Sequence, residues 1–172
     1  NKLWALGRII VNLTKEDQVI IFSNTKRMVD LLVQRLDRHR FSATGLHGDM
    51  AQNKRERIIN DFREGKTKIV IATDVAARGL DVDGVTLVIN YDIPDDSESY
   101  VHRIGRTGRM GRKGTAWSFV SGEDAPNMTK IISTWNMVVE EVEAPALPDG
   151  VHRDPVRKQM DWGECADVFG MV

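Results

Sequence analysis

Short apolar runs alternate with amphipathic stretches along most of this sequence. QVIIF at 18–22 follows TKED and precedes Ser23-Asn24-Thr25. A run that short and that apolar has the pattern of a strand buried on both faces, as in a parallel sheet. KIVIA at 68–72 and TLVIN at 86–90 repeat it, and 42–46 and 114–120 add two less apolar strands. Between the runs the apolar spacing becomes helical. Val29, Leu32, Val33 and Leu36 form one stripe of a helix ending near Arg38, and Ile58, Ile59 and Phe62 line another over 51–63. Leu3, Leu6, Ile10 and Leu13 predict a helix over 2–13, weakened by Gly7. Further helices are expected at 97–104, opened by a serine cap, and at 123–135, with 73–84 as a loop and 137–142 extended. Strands alternating with helices predict an α/β fold: a mostly parallel sheet flanked by helices on both faces.

That fold gives three loops a common address. In such sheets ligands sit at the carboxyl ends of the strands. The loops after the first three strands are SNTK (23–26), HGD (47–49) and ATD (72–74). Each offers small or polar groups, and the first two lead into helix N-termini, where unpaired amides favour anions. Any one alone reads as a capped turn. Three on one edge suggest a track for a sugar–phosphate backbone.

The stretch Tyr100–Gly114, YVHRIGRTGRMGRKG, adds five basic residues and no acid, with glycines at 105, 108, 111 and 114. Glycine neighbours leave an arginine room to approach a planar anion, and the guanidinium fork matches two phosphate oxygens. Collagen is excluded, since the stretch has no proline.

Composition narrows the partners. The chain has 172 residues, 41% hydrophobic and 28% charged, which suits a globular domain with a core. Its net charge is −1, so nucleic-acid binding must come from local placement of charge. The lone cysteine, Cys165, permits no internal disulfide. With no leader and no long apolar run, a reducing, cytoplasmic setting without a membrane is the expectation. Gly65-Lys66-Thr67 imitates the end of a phosphate-binding loop, but that motif needs glycine where Asn60 stands. Asp95-Asp96-Ser97-Glu98 reads as a helix start, where acids complement the dipole, rather than as a metal site. His47 and His102 have no evident nucleophile beside them.

IIFSNTK (20–26), LHGD (46–49), Gln52-Asn53-Lys54-Arg55, ATDVAARGLD (72–81) and YVHRIGRTGR (100–109) stand in the order found in DEAD-box RNA helicases of superfamily 2. They resemble the motifs of that family's carboxy-terminal RecA-like lobe, over about residues 1–145. The resemblance implies a three-layer RecA-like fold and a role in ATP-dependent RNA unwinding. It implies that Arg106 and Arg109 are arginine fingers for the γ-phosphate, and that Gly79 and Asp81 lie at the nucleotide ribose. Thr25, Gly48, Arg55 and Thr73 would hold RNA phosphates without reading sequence. Asp74, His102 and Arg103 would link the ATP site, the RNA track and the lobe interface.

The departures set limits. The family's first lobe carries GxxxxGKT and the DEAD tetrapeptide, and this sequence has neither of them. ATP with Mg²⁺ would be held mainly by that lobe. The resemblance thus implies the amino-terminal RecA-like lobe as a partner, and an isolated chain unable to hydrolyse ATP. Residues 146–172 are expected to be an acidic extension. From Glu140 onward there are eight acids against three bases, which is no basic RNA-binding arm. Two other functions fit the residues: a lobe of a DNA-acting superfamily 2 helicase, and a non-enzymatic module binding RNA or a partner.

Overall fold

In the computed structural model of the chain, residues 2–144 are described apart from 79, 81–83 and 110, together with 146. The extension at 146–172 therefore lies, but for Ala146, outside the described residues.

The apolar runs form β1 (Val19–Phe22), β2 (Ala43–Leu46), β3 (Ile69–Ala72), β4 (Leu87–Asn90) and β5 (Thr115–Ser118). They make one five-stranded sheet in the order β2-β3-β1-β4-β5, with every pair parallel. The three most apolar strands, β1, β3 and β4, are buried along their whole length. β5 lies at an edge and is largely exposed.

The helices are α1 (Lys2–Ile10), α2 (Lys26–Arg38), α3 (Gln52–Arg63), α4 (Asp74–Ala77), α5 (Ser97–Ile104) and α6 (Ala125–Trp135). The chain divides into two compact units, and α1 belongs to a different one from residues 16–139. Leu3, Leu6 and Ile10 of α1 are buried as their spacing predicts, and Gly7 is accommodated.

Within 16–139, strand side chains alternate between two layers. Ile20, Phe22, Leu46, Val70, Ala72 and Val88 form one cluster with Ile58 and Phe62 of α3 and Ala76 and Ala77 of α4. On the opposite face α2 buries Val29, Leu32 and Leu36. A Cβ at Gly45 of β2 would lie 3.1 Å from both Val29 and Val33, so a small residue lets α2 approach the sheet. A third cluster joins Ile93 and Tyr100 to Met128 and Ile131 of α6. Each such fully buried large side chain contributes about 1.5–3 kcal/mol.

Three local expectations change. The stretch after β3 starts with α4 rather than a continuous loop. The cap of α5 is Asp96, whose carboxylate accepts from the Ser99 amide and hydroxyl, each at 2.7 Å. That bonding holds the Asp96 carboxyl below the usual carboxylate range. At 137–142 the chain joins no strand ladder among the described residues.

Candidate nucleic-acid and nucleotide interface

The ladder register aligns the predicted loops. Leu46, Ala72, Phe22 and Asn90 are successive partners across β2, β3, β1 and β4. The next residues, His47, Thr73, Ser23 and Tyr91, therefore open four loops along one carboxyl edge. Backbone bonds continue the row: the Thr73 amide donates to the Leu46 carbonyl at 3.3 Å, Ser23 to Ala72 at 3.0 Å, and Tyr91 to Phe22 at 3.0 Å. Strands lie about 4.8 Å apart, so the row from β2 to β1 covers roughly 10 Å. The connection after β1 runs toward β2, and that after β4 runs toward β5. The direction reverses between these neighbours, which is where an open parallel sheet forms its crevice.

Arg103 fills that crevice. It is 1% exposed, making it the largest fully buried side chain among the described residues. Its Nε and Nη2 donate to the two carboxylate oxygens of Asp74 at 2.6 Å each. Nη1 donates to the Asp92 carbonyl at 2.6 Å, and Nη2 also reaches Asn24 Oδ1 at 2.7 Å. The guanidinium lies 5.2 Å from the centre of the Phe22 ring, a cation–π contact. Asp92 in turn accepts at Oδ2 from the Ser23 hydroxyl at 2.6 Å and the Asn24 amide at 3.0 Å. One planar cation thus ties the ends of β1, β3 and β4 to α5. Desolvating it is offset by these four charge-assisted bonds.

Asp74 and Arg103, predicted as network residues, are brought together. His102 is not: it is exposed, with Nε2 3.9 Å from Glu98 one helical turn away. Sequence reasoning missed Asn24 and Asp92 as members, and the only available signal was their place just after β1 and β4. Tyr91 is buried beside Asp92, and burial pushes its hydroxyl up to about 12.

The track residues occupy the expected loops. Thr25 caps α2, accepting from the Met28 amide at 3.2 Å. Gly48 is exposed, with nothing within 4 Å of where a Cβ would stand. Thr73 caps α4 through its backbone, with no side-chain bond to the helix. Arg55, in the first turn of α3, has a buried Nε with no hydrogen-bond partner among the described residues.

Beyond α5 the basic loop turns back on itself. Gly108 and Gly111 have φ of 67° and 73°. A Cβ on Gly114 would collide with the Gly108 backbone nitrogen. These glycines serve backbone turning and close approach, a different use from clearing space beside arginines. Arg106 Nη1 donates to the Leu80 carbonyl at 3.4 Å, and Arg109 Nε to the Gly105 carbonyl at 2.7 Å. Thr107 Oγ1 donates to Val85 at 2.8 Å and so pins the loop between them. Gly79 and Asp81, expected at the ribose, lie outside the described residues.

The Gly65-Lys66-Thr67 triplet ends α3. Gly65 has φ 72°, and Lys66 pairs with Glu64 at 2.6 Å, which raises the Lys66 amine and lowers the Glu64 carboxyl. No group of three or more His, Cys, Asp or Glu suited to a metal occurs among the described residues. No helix there is long and apolar enough to cross a membrane.

Residues 1–111 match the family described as helicase conserved C-terminal domain. The ATP-dependent RNA helicase FAL1 of Kluyveromyces lactis is 48% identical over 127 residues, 74% of this chain and 32% of that protein. Escherichia coli DEAD-box protein SrmB, solved bound to regulator of ribonuclease activity A, superposes with a TM-score of 0.72 at 34% identity, covering 85% of this chain and 84% of that one. Saccharomyces cerevisiae Dbp5, bound to RNA and ADP BeF3, gives 0.74 at 34% identity, over 99% of this chain and 41% of that one. The chain belongs to the helicase C-terminal domain family, as the carboxy-terminal RecA-like lobe of a DEAD-box RNA helicase. It spans about a third of the length of the curated relatives it matches.

Proposed function

We propose that this chain is the RNA-gripping and finger-donating half of a split ATP site in an ATP-dependent RNA helicase. RNA phosphates lie along the carboxyl edge, on Thr25, Gly48, Arg55 and Thr73. ATP with Mg²⁺ is held mainly by the amino-terminal lobe, with Gly79 and Asp81 at the ribose. When ATP and RNA bind together the lobes close, and Arg106 and Arg109 leave their carbonyl partners for the γ-phosphate. There they stabilise the charge that develops as the phosphoryl group passes to water. Phosphate and sugar contacts carry little sequence information, so the grip is sequence-tolerant. Bending one strand along the edge separates it from its complement.

The observation that carries this reading is the Arg103 hub. Its guanidinium bonds Asp74, Asn24 and the Asp92 carbonyl, so the loops beside Thr25 and Thr73 are fixed to α5. Three residues beyond Arg103, the same chain carries Arg106. RNA engagement at the edge and finger position are mechanically connected through one buried side chain. His102, beside Arg103 on α5 and exposed, is left to meet the other lobe. The unpartnered Arg55 Nε supports the phosphate assignment. RNA rather than DNA is favoured by the RNA helicase relatives and by the RNA in the Dbp5 complex.

In the full-length protein, Arg106→Ala is expected to cut RNA-stimulated ATP hydrolysis by about 10³-fold or more, the scale of an arginine finger. Nucleotide affinity, read with a fluorescent ATP analogue, stays close to wild type. Normal turnover in this variant would remove Arg106 from the site.

A further inference from the structure

The HGD loop after β2 is tied to α2 by two residues one turn apart on that helix. His47 is buried, 8% exposed. Its Nδ1 accepts the Asp49 amide at 3.4 Å, so the ring proton sits on Nε2, which donates to Asp30 Oδ1 at 3.0 Å. Asp49, on the other side of Gly48, receives the Lys26 ammonium at Oδ1. Lys26 and Asp30 are spaced i, i+4 on α2 and so face the same way. Both arms of the loop are thus fastened to α2, while Gly48 between them is exposed and unobstructed. The same helix begins at its cap Thr25. One helix end therefore fixes the separation of two residues proposed to hold RNA phosphates.

We propose that Asp30 and Lys26 are positioning residues, holding the His47–Asp49 loop so that the Gly48 amide meets an RNA phosphate at a fixed distance from Thr25. The proposal rests on the RNA-track reading above. The two ties are unequal. The Lys26–Asp49 pair is exposed on both sides, 53% and 67%, and such pairs contribute little. The Asp30–His47 bond satisfies a buried ring nitrogen, so its loss leaves a buried donor unpaired. Asp30 sets the loop, and Lys26 trims it. Neither residue touches the reacting atoms. Their signature is therefore a change in the RNA concentration needed for half-maximal ATP hydrolysis, with the maximal rate unaltered.

The test uses the full-length protein and a single-stranded RNA oligonucleotide. Asp30→Ala is expected to raise the half-maximal RNA concentration about threefold to tenfold, the range of one hydrogen bond, with maximal ATPase within about twofold. Asp30→Asn keeps an acceptor oxygen for Nε2–H and is expected to restore most of the affinity. Lys26→Ala is expected to shift it less than about twofold. Thermal melting of each variant checks the fold. Three results would overturn the proposal: an unchanged RNA requirement in Asp30→Ala, an Asp30→Asn as weak as the alanine variant, or a fall in maximal rate at constant RNA requirement. Arg55→Ala separates this from the underlying reading. If it weakens RNA binding while Asp30→Ala does not, the clamp alone is wrong. If neither does, the track itself is wrong.

Discussion

At the scale of single residues, Arg103 decides most. Its donors reach Asp74, Asn24 and Asp92, which lie 29, 79 and 11 residues away in sequence. Motif resemblance marks Arg103 and Asp74, but no pattern in the sequence marks Asn24 or Asp92 as their partners. Such pairings are created by the sheet register, which brings the ends of β1, β3 and β4 side by side. The glycines of the basic stretch show the same limit. Their period is plain, but the turning at Gly108 and Gly111 and the approach of Gly114 to the Gly108 backbone are displayed only by the folded loop. A lysine at 103 would keep the charge and lose the planar fork. It cannot span both Asp74 oxygens and also bond Asn24 and the Asp92 carbonyl. Arg103→Lys is therefore expected to destabilise residues 16–139 by about 2–3 kcal/mol, the cost of leaving buried polar partners unmet. Urea unfolding measures it. A midpoint within error of wild type would mean the hub contributes no net stability.

Element by element, helix and strand identity was legible and helix ends were not. Runs such as VIIF and IVIA admit few readings once flanked by turn residues. Caps depend on local dihedrals. Asp96 and Ser97 are both good capping residues, and the extended φ and ψ of Asp96 choose between them. α4 escaped notice because its four residues are too few to show a period. Three helices stop in the same way. After α2 the Phe41 amide bonds Leu36 and the Arg40 amide bonds Asp37, with Arg40 at φ 61°. After α3 and α6, Gly65 and Asn136 hold the corresponding left-handed position at φ 72° and 47°. This is the Schellman ending, which favours glycine, then asparagine. Arginine there bears a Cβ penalty of about 1–2 kcal/mol, partly offset by the freedom glycine adds to the unfolded chain. Arg40→Gly is expected to raise stability by about 0.5–1 kcal/mol, and Asn136→Gly by less. Denaturant midpoints of the two variants check the order. A loss of stability in Arg40→Gly would show that the Arg40 side chain makes contacts outweighing its backbone strain.

For the whole molecule, net charge separates two ways of holding a polyanion. At −1 the chain has no long-range attraction for RNA. On the proposed function, grip comes from a hydroxyl at Thr25, a backbone amide at Gly48, the Thr73 loop and one cation, Arg55. Only charge neutralisation releases counterions, at about −0.7 in the salt slope per single-strand phosphate. Amides and hydroxyls add affinity without adding slope. Fluorescence anisotropy of labelled single-stranded RNA on the 172-residue chain is therefore expected to give a log–log salt slope of about −0.7 to −1.4. That range allows for Arg55 and at most one further cation. The binding itself is expected to be weak, because half of the closed site is missing. A slope of about −3.5 or steeper would mean that five or more cations engage the RNA. The basic run Arg106–Lys113 would then be the binding surface, and Arg106 and Arg109 would be bound to RNA rather than held for the nucleotide. The same titration thus bears on both halves of the assignment: a shallow slope leaves the two arginines available for ATP, and a steep one takes them away.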